Sequence, residues 1–318
     1  MARRRAPPDA SSAPSTIPSP TRPPEEVGAW LEAALGEAPL AWTPLASPLA
    51  TRGAARVHRI DGPRGPRAVL KRHADVAKHR REVATYRAVA AVPALAARTP
   101  ALLAATERPE PRLLMQVAPG TAAPPPPTAP PAAVLADVGA YLAALHATPV
   151  AGTDPLPVGE AMLRRADAAL ASLPPHRRAE AERTRAAVAA AAPSLAGRER
   201  RLAHRDVGPH NWRLDGGRLA AVLDFEHARA DLPEVDLARL LVTYAAAPDA
   251  VRAVLAAYAA AGGPAPLDAG VLFAVACLDA AAAAAWAARR TGPAARAAAA
   301  QAEGAWAALR HPGDVALP

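Results

Sequence analysis

The run His204-Arg205-Asp206-Val207-Gly208-Pro209-His210-Asn211 has the pattern His-Arg-Asp-x-x-x-x-Asn. Thirteen positions beyond Asn211 stands Asp224, directly after the apolar run Leu219-Ala220-Ala221-Val222-Leu223. A carboxylate that can accept a hydroxyl proton, a carboxamide and a second carboxylate are the groups that phosphoryl transfer from a nucleotide needs. In that chemistry Asp206 orients the acceptor hydroxyl and takes its proton. The transition state is loose, so its position counts for more than its basicity. Asn211 and Asp224 offer the hard oxygen atoms that Mg²⁺ prefers. Asp224 also ends an apolar strand, where an unpaired carboxylate is costly and a cation offsets the cost. Taken singly, each residue has a plainer use, in capping a turn or bonding backbone; their common spacing is what favours chemistry.

Other residues could complete such a site. Lys71 ends the apolar run Ala68-Val69-Leu70-Lys71 and could hold the α- and β-phosphates, with Glu82 on the following helix orienting it through an ion pair. Arg72, Lys78, Arg80 and Arg81 are nearby cations that compete for either role. His204 and Arg205 precede the base, and His204 reads as a brace for the loop rather than a proton carrier. His146, His210 and His227 have no spacing that suggests a metal site. Asp236, in Asp231-Leu232-Pro233-Glu234-Val235-Asp236, reads as a helix cap that bonds back to the loop.

These side chains need elements to hold them. Residues 1–24 are rich in Pro, Ser, Ala and Arg without apolar periodicity, and are expected to be disordered. A short helix over Glu25–Glu37 follows, with Trp30, Leu31 and Leu35 on one face. From Leu40 to Val117 the order is strand, strand, strand, helix, strand, strand. Ala54–Ile60 and Arg67–Arg72 flank the turn signal Asp61-Gly62-Pro63. Asp75 caps a helix to about Val92, and Ala101–Thr106 and Leu113–Val117 are the last strands. The proline-rich stretch Ala122–Pro131 is a stiff connector. Helices then dominate: Val134–Ala147, Val158–Leu173, Arg177–Ala192, Pro233–Ala246, Ala250–Ala261, Ala269–Arg290 and Ala294–Leu309, interrupted by short strands over Leu202–Asp224. The expectation is an α+β fold of two lobes. A small antiparallel β-rich lobe (25–118) binds nucleotide, and a larger helical lobe (119–318) carries the catalytic and substrate-binding residues.

Aromatic content of 3% predicts an aliphatic core of Leu, Val and Ala. The net charge of +8 reflects scattered arginines with no aromatic-basic stripe, so nucleic-acid binding is not expected. A single cysteine, Cys277, allows no disulfide within the chain and fits a reducing cytoplasm. No apolar segment follows Arg3-Arg4-Arg5, so no signal peptide is visible. The run Ala280–Ala285 is too short and too closely flanked by charge to span a membrane.

At this point the residues resemble a known group, the aminoglycoside phosphotransferases and choline kinases, small-molecule kinases that share the protein-kinase-like fold. The resemblance runs from about Leu45 to Leu309. It rests on His204–Asn211 with its Pro-x-Asn ending, Leu223–Glu226 as an Asp-x-Glu metal segment, Asp231–Ala238, and the Leu-x-x-Leu-His helix end at Leu142–His146. It implies Asp206 as base, Asn211 and Asp224 as magnesium ligands, and Lys71 with Glu82 as the phosphate-holding pair. It also implies a hinge over Leu113–Gly120, where the backbone of Gln116 and Val117 reads the base. The chain departs from the group in three places. Arg205 replaces a Gly, Leu232 replaces a Pro, and Gly53 is the only glycine between Ser47 and Ile60, where a glycine-rich phosphate loop is expected.

A helix begins by Pro233, soon after Asp224, and no Ala-Pro-Glu follows, which leaves little room for a peptide-docking platform. The implied activity is an ATP- (or GTP-) and Mg²⁺-dependent transfer to a hydroxyl of a small molecule, such as an antibiotic, amino alcohol, sugar or nucleoside, by a monomer or homodimer. Sparse carboxylates after Asp236 argue against a highly charged aminoglycoside. A quaternary amine would need an aromatic cage, for which Trp286, Trp306 and Tyr258 are available. The glycine-poor loop motivates the alternative, a kinase-like nucleotide-binding scaffold without turnover.

Overall fold

The computed structural model describes residues 21–45, 55–126, 128–150, 156–195, 198–264, 267–315 and 317. Residues 1–20 of the expected tail, and Gly53 with the rest of the phosphate-loop region over 46–54, lie outside the described residues. Thr21 already pairs with Trp42, accepting a hydrogen bond from its indole Nε1 at 2.8 Å.

The N-terminal half contains α1 (Glu25–Leu35), β1 (Ala41–Pro44), β2 (Arg56–Gly62), β3 (Gly65–Arg72), α2 (Val76–Ala90), α3 (Pro93–Ala96), β4 (Leu102–Thr106) and β5 (Arg112–Gln116). The strands form one antiparallel sheet in the order β1-β2-β3-β5-β4. Side chains alternate across a strand, so Leu114 joins Val27 and Leu31 of α1, with Ile60 and Leu70, on one face. Its neighbours Leu113 and Met115 join Val83, Tyr86 and Val89 of α2 in the main core. The sheet is therefore covered on both sides. Asp75 caps α2 by accepting from the N–H groups of Ala77 and Lys78, as its position before an apolar-periodic stretch predicts.

Beyond β5 come β6 (Thr121–Ala122), α4 (Ala132–Ala147), α5 (Val158–Leu170), α6 (Arg178–Ala191), β7 (Arg201–Ala203), β8 (Trp212–Asp215), β9 (Arg218–Val222), β10 (Arg229–Asp231), α7 (Glu234–Thr243), α8 (Pro248–Ala260), α9 (Ala269–Ala288) and α10 (Pro293–Ala308). The mixed α+β architecture is the expected one, with antiparallel strands first and helices after. The interval between Asn211 and Asp224 is filled by β8, the Gly216-Gly217 turn and β9. α4 lies so close to α8 that a Cβ on Gly139 would sit 2.5 Å from Val254 O, which only glycine avoids. α9 is long and apolar enough to cross a membrane. Eleven of its side chains, from Val271 to Ala285, are instead buried against the rest of the protein.

The core departs from the sequence reading in one respect. It is not purely aliphatic, because the few aromatics are concentrated inside. Trp212, Tyr86, Tyr141, Tyr244, Tyr258 and Phe225 are among the largest fully buried side chains. A low total is compatible with large buried area when each ring is spent in the core.

Candidate active site

Lys71 lies near the end of β3, a central strand, and is 4% exposed rather than an edge-strand surface charge. Leu70 packs under the sheet, and alternation sends Lys71 toward α2. Its Nζ lies 3.1 and 2.9 Å from the two Glu82 oxygens, 2.6 Å from Asp224 Oδ1 and 3.1 Å from Glu226 Oε2. Burial disfavours the ammonium, but the three carboxylates more than offset it and hold the Lys71 pKa well above the usual lysine range. Glu82 is fully buried. Burial alone would raise its pKa, yet Lys71 and His73, whose Nε2 is 2.8 Å away, hold it below the ordinary value. Glu226 also binds Lys78 at 2.8 Å. Its carboxyl is held far below the usual range by the neighbouring His227 and both lysines, against the opposing effect of burial.

The loop that carries Asp206 leaves β7 and ends in a single turn over Pro209–Asn211. Its shape is unusual: Arg205 has φ 67° and Asp224 φ 65°. Left-handed backbone at non-glycine residues costs about 1–3 kcal/mol and persists only where the surroundings enforce it. Here they do. Asp236 Oδ2 accepts from the N–H of His204 at 2.7 Å, and Oδ1 accepts from the N–H of Arg205 at 2.6 Å. Asp236 is itself fully buried against His146 Nε2 at 3.0 Å, whose Nδ1 meets the Tyr258 hydroxyl. Burial would raise the Asp236 pKa, but these partners hold it down. Asp236 thus binds back to the loop as expected but does not cap α7. His204 braces, as expected, with Nε2 2.9 Å from Leu223 O, just before Asp224. Leu223 N–H in turn donates to Asn211 O. Asp206, Asn211 and Asp224 therefore belong to one hydrogen-bonded stretch of chain.

Asp206 Oδ2 faces His210 Nε2 at 3.3 Å and Asn211 Nδ2 at 3.4 Å, and Oδ1 faces Arg239 Nη2 at 3.4 Å. Burial pushes its pKa up, but His210 and Arg239 overcome that and hold it at about 2. It is a carboxylate across the neutral range, a hydrogen-bond acceptor and a weak base. Arg239 is shared with Asp279, whose Oδ2 is 3.2 Å from Nη1. Arg205 turns away from this cluster: its guanidinium meets Asp231 at 2.9 Å, as does that of Arg165. It therefore acts through the loop's shape rather than at the reacting atoms.

The donor set fits a divalent cation. Asn211 Nδ2 donates to Asp206 O, which leaves Oδ1 without a protein hydrogen bond among the described residues. Asp224 is 39% exposed at its side chain and uses only Oδ1 on Lys71. A free carboxamide oxygen and a free carboxylate oxygen are the hard ligands that Mg²⁺ takes, with water completing the shell. At the hinge the expectation is corrected in part: Gln116 N–H donates to Ala101 O at 2.8 Å, so that donor is engaged. Val117 N–H has no protein acceptor among the described residues. Trp286, Trp306 and Tyr258 form no cage: Tyr258 serves His146, and Arg177 and Arg290 lie over Trp306 and Trp286.

The structure brings together Lys71, Glu82 and Asp224, and separately ties Asp206, His204 and Asn211 to the strand before Asp224. Sequence reasoning missed His73, Arg239 and Asp279 as participants. Glu226 and Lys78 were visible only as part of a motif or as competing charge.

The sequence profile of the phosphotransferase enzyme family matches residues 47–270. The chain belongs to that family. As a member it is a small-molecule phosphotransferase, with the expected kinase-like fold. Among solved structures, macrolide 2'-phosphotransferase MphH from Brachybacterium faecium is 22% identical, covers 84% of this chain and 92% of its own, and superposes with a TM-score of 0.60. A thermostable mutant of aminoglycoside phosphotransferase APH(4)-Ia is 18% identical, with 89% and 98% covered and a TM-score of 0.62. Aminoglycoside phosphotransferase APH(2'')-Ib, solved with ADP, is 15% identical, with 88% and 98% covered and a TM-score of 0.58. At these identities the likeness is one of fold. No curated protein matches the sequence.

Proposed function

We propose that this phosphotransferase moves the terminal phosphoryl group of ATP, or GTP, to a hydroxyl of a small organic molecule, with residues 25–118 as the nucleotide-binding lobe and 119–318 as the catalytic and acceptor-binding lobe. The observation that carries the reading is the 2.6 Å contact between Lys71 and Asp224, 153 residues apart, which joins the cation of the sheet to the acid that follows the Asp206 loop. ADP-bound relatives of the same fold support nucleotide use.

Asp206 accepts a hydrogen bond from the acceptor hydroxyl and aims its oxygen at the terminal phosphorus. As the new P–O bond forms, the bond to the bridging oxygen breaks and ADP leaves. The hydroxyl proton passes to Asp206 and then to solvent. A loose transition state needs little basic strength from this group, which suits a carboxyl held at about 2. Lys71, kept cationic by its three acids and steered by Glu82, neutralises phosphate oxygens. Asn211 and Asp224 would hold Mg²⁺, which supplies charge neutralisation on the phosphates. Buried His204 and Asp236 keep the loop in register. The intact set of groups opposes the scaffold reading.

The test is ADP release from MgATP in the presence of hydroxylated antibiotics, amino alcohols, sugars and nucleosides. Asp206→Asn should lower turnover about 10²–10⁴-fold, and Asp224→Asn should abolish it, with each variant still unfolding in one cooperative thermal transition. Unchanged turnover in either variant sinks the assignment.

A further inference from the structure

A cavity of about 360 Å³ lies between α5, α9 and the Asp206 loop, and Met162, Arg165, Arg205, Val275, Asp279 and Arg289 contribute to its wall. Two features connect it to the candidate active site. Arg205 immediately precedes Asp206. Asp279 reaches Asp206 through Arg239, which spans the two carboxylates with its two terminal nitrogens.

The charge of this wall is unusual for a chain with acids elsewhere. Arg165 and Arg205 share the single carboxylate of Asp231, 3% exposed, at 2.9 Å each. Asp279 is matched by Arg239. Arg289, exposed at the end of α9, has no carboxylate partner among the described residues. Arg165, Arg205, Arg239 and Arg289 thus face Asp231, Asp279 and Asp206, and one positive charge is left over. Burial together with the repulsion of Arg229 and Arg165 lowers the Arg205 pKa to about 10, as expected where like charges crowd. Apart from Ser172 the rest of the wall is apolar, with Met162 and Val275 buried at 1% and 3%. A polycation entering here would meet net repulsion, whereas a guanidinium fork pairs well with a carboxylate, phosphate or sulfonate.

We infer that this cavity receives the acceptor and selects one that carries an anionic group on an apolar body. The inference rests on the phosphotransferase reading for the word acceptor; the binding preference stands on the cavity itself.

A matched pair of probes tests it. 8-Anilinonaphthalene-1-sulfonate and N-phenyl-1-naphthylamine share an apolar body and differ by the sulfonate. The full chain should bind the sulfonate probe saturably and more tightly than the neutral one. Arg289→Gln should weaken the sulfonate probe about tenfold, about 1.4 kcal/mol, and leave the neutral probe unchanged. Ala282→Trp, which places a ring at the cavity wall, should weaken both, and spermine should displace neither. Saturating sulfonate probe should also depress acceptor-independent ADP release from MgATP by keeping water from the loop. Equal binding of the two probes, indifference to Arg289→Gln or to Ala282→Trp, displacement by spermine, or undisturbed ADP release at saturation would each overturn the inference. Absence of any ADP release would instead count against the phosphotransferase reading, with the probe preference still measured.

Discussion

Replacing Lys71 by Met removes the ammonium that Glu82, Asp224 and Glu226 share. The three acids do not lose equally. Asp224 is 39% exposed and can be hydrated, and Glu226 keeps Lys78 at 2.8 Å. Glu82 has no exposure and is left with His73 alone. Removing one partner of a buried ion pair costs about 3–5 kcal/mol, because the remaining charge is neither solvated nor matched. The His73 contact places Lys71→Met at the lower end, about 3 kcal/mol. For a chain of 318 residues, at about 2.1 cal/mol/K of unfolding entropy per residue, that is roughly a 4–5 °C fall in Tm. The double variant Lys71→Met, Glu82→Leu removes both charges. A buried pair exchanged for apolar residues is often neutral, so most of the loss should return. Phosphate transfer should be lost in both, since stability and phosphate binding use the same ammonium for different reasons. Differential scanning calorimetry and ADP release on the three proteins read the two effects apart. A single variant that melts with the wild type, or a double variant no more stable than the single, would refute the claim that Lys71 is the buried partner of Glu82.

Two further outcomes follow from the loop. Asp236→Asn offers one acceptor oxygen to the two N–H groups of His204 and Arg205, so one buried donor faces an amide NH₂; a cost of about 1–3 kcal/mol and a fall in kcat with little change in KM for ATP are expected by melting and steady-state kinetics. The double variant Arg239→Met, Asp279→Leu removes the nearer cation and the more distant acid from Asp206, so the Asp206 pKa should rise from about 2 and the acid limb of kcat/KM should move to higher pH, with His210 still opposing the rise; a limb that stays in place or moves down contradicts the role of Arg239. For the wild type the sign is the usual one for depressed carboxyls. The stability contributed by Asp206, Glu82 and Asp236 is present above their unfolded values and lost as pH falls through the folded ones.

The Asp206 loop was legible because its pattern is local. His204 to Asn211 is eight consecutive residues, and residue type with spacing is enough to mark it. The helices were legible for a related reason, since apolar periodicity over a dozen residues is a strong signal. β10 was not, being three residues long and defined by its partner β7 rather than by its own pattern. Lys71 was harder to choose over Arg72, Lys78, Arg80 and Arg81, because what singles it out is alternation on a central strand, visible only once β2 and β5 flank β3.

Arg239 marks the limit of such reading. Three residues beyond Asp236 on α7, it is one arginine among many on a basic chain, and its plain use is solvation. Its partners come from the loop after β7 and from α9, at separations of 33 and 40 residues. No periodicity links the three. What links them is that α7 packs on α9 while its first turn holds the Asp206 loop through Asp236. Asp236, which accepts from the loop's backbone, and Arg239, which faces Asp206, stand three residues apart on one side of α7. The electrostatics of Asp206 are thus a consequence of helix packing. For that reason a change at Asp279, which touches Asp206 only through Arg239, should be felt in the pH dependence of turnover.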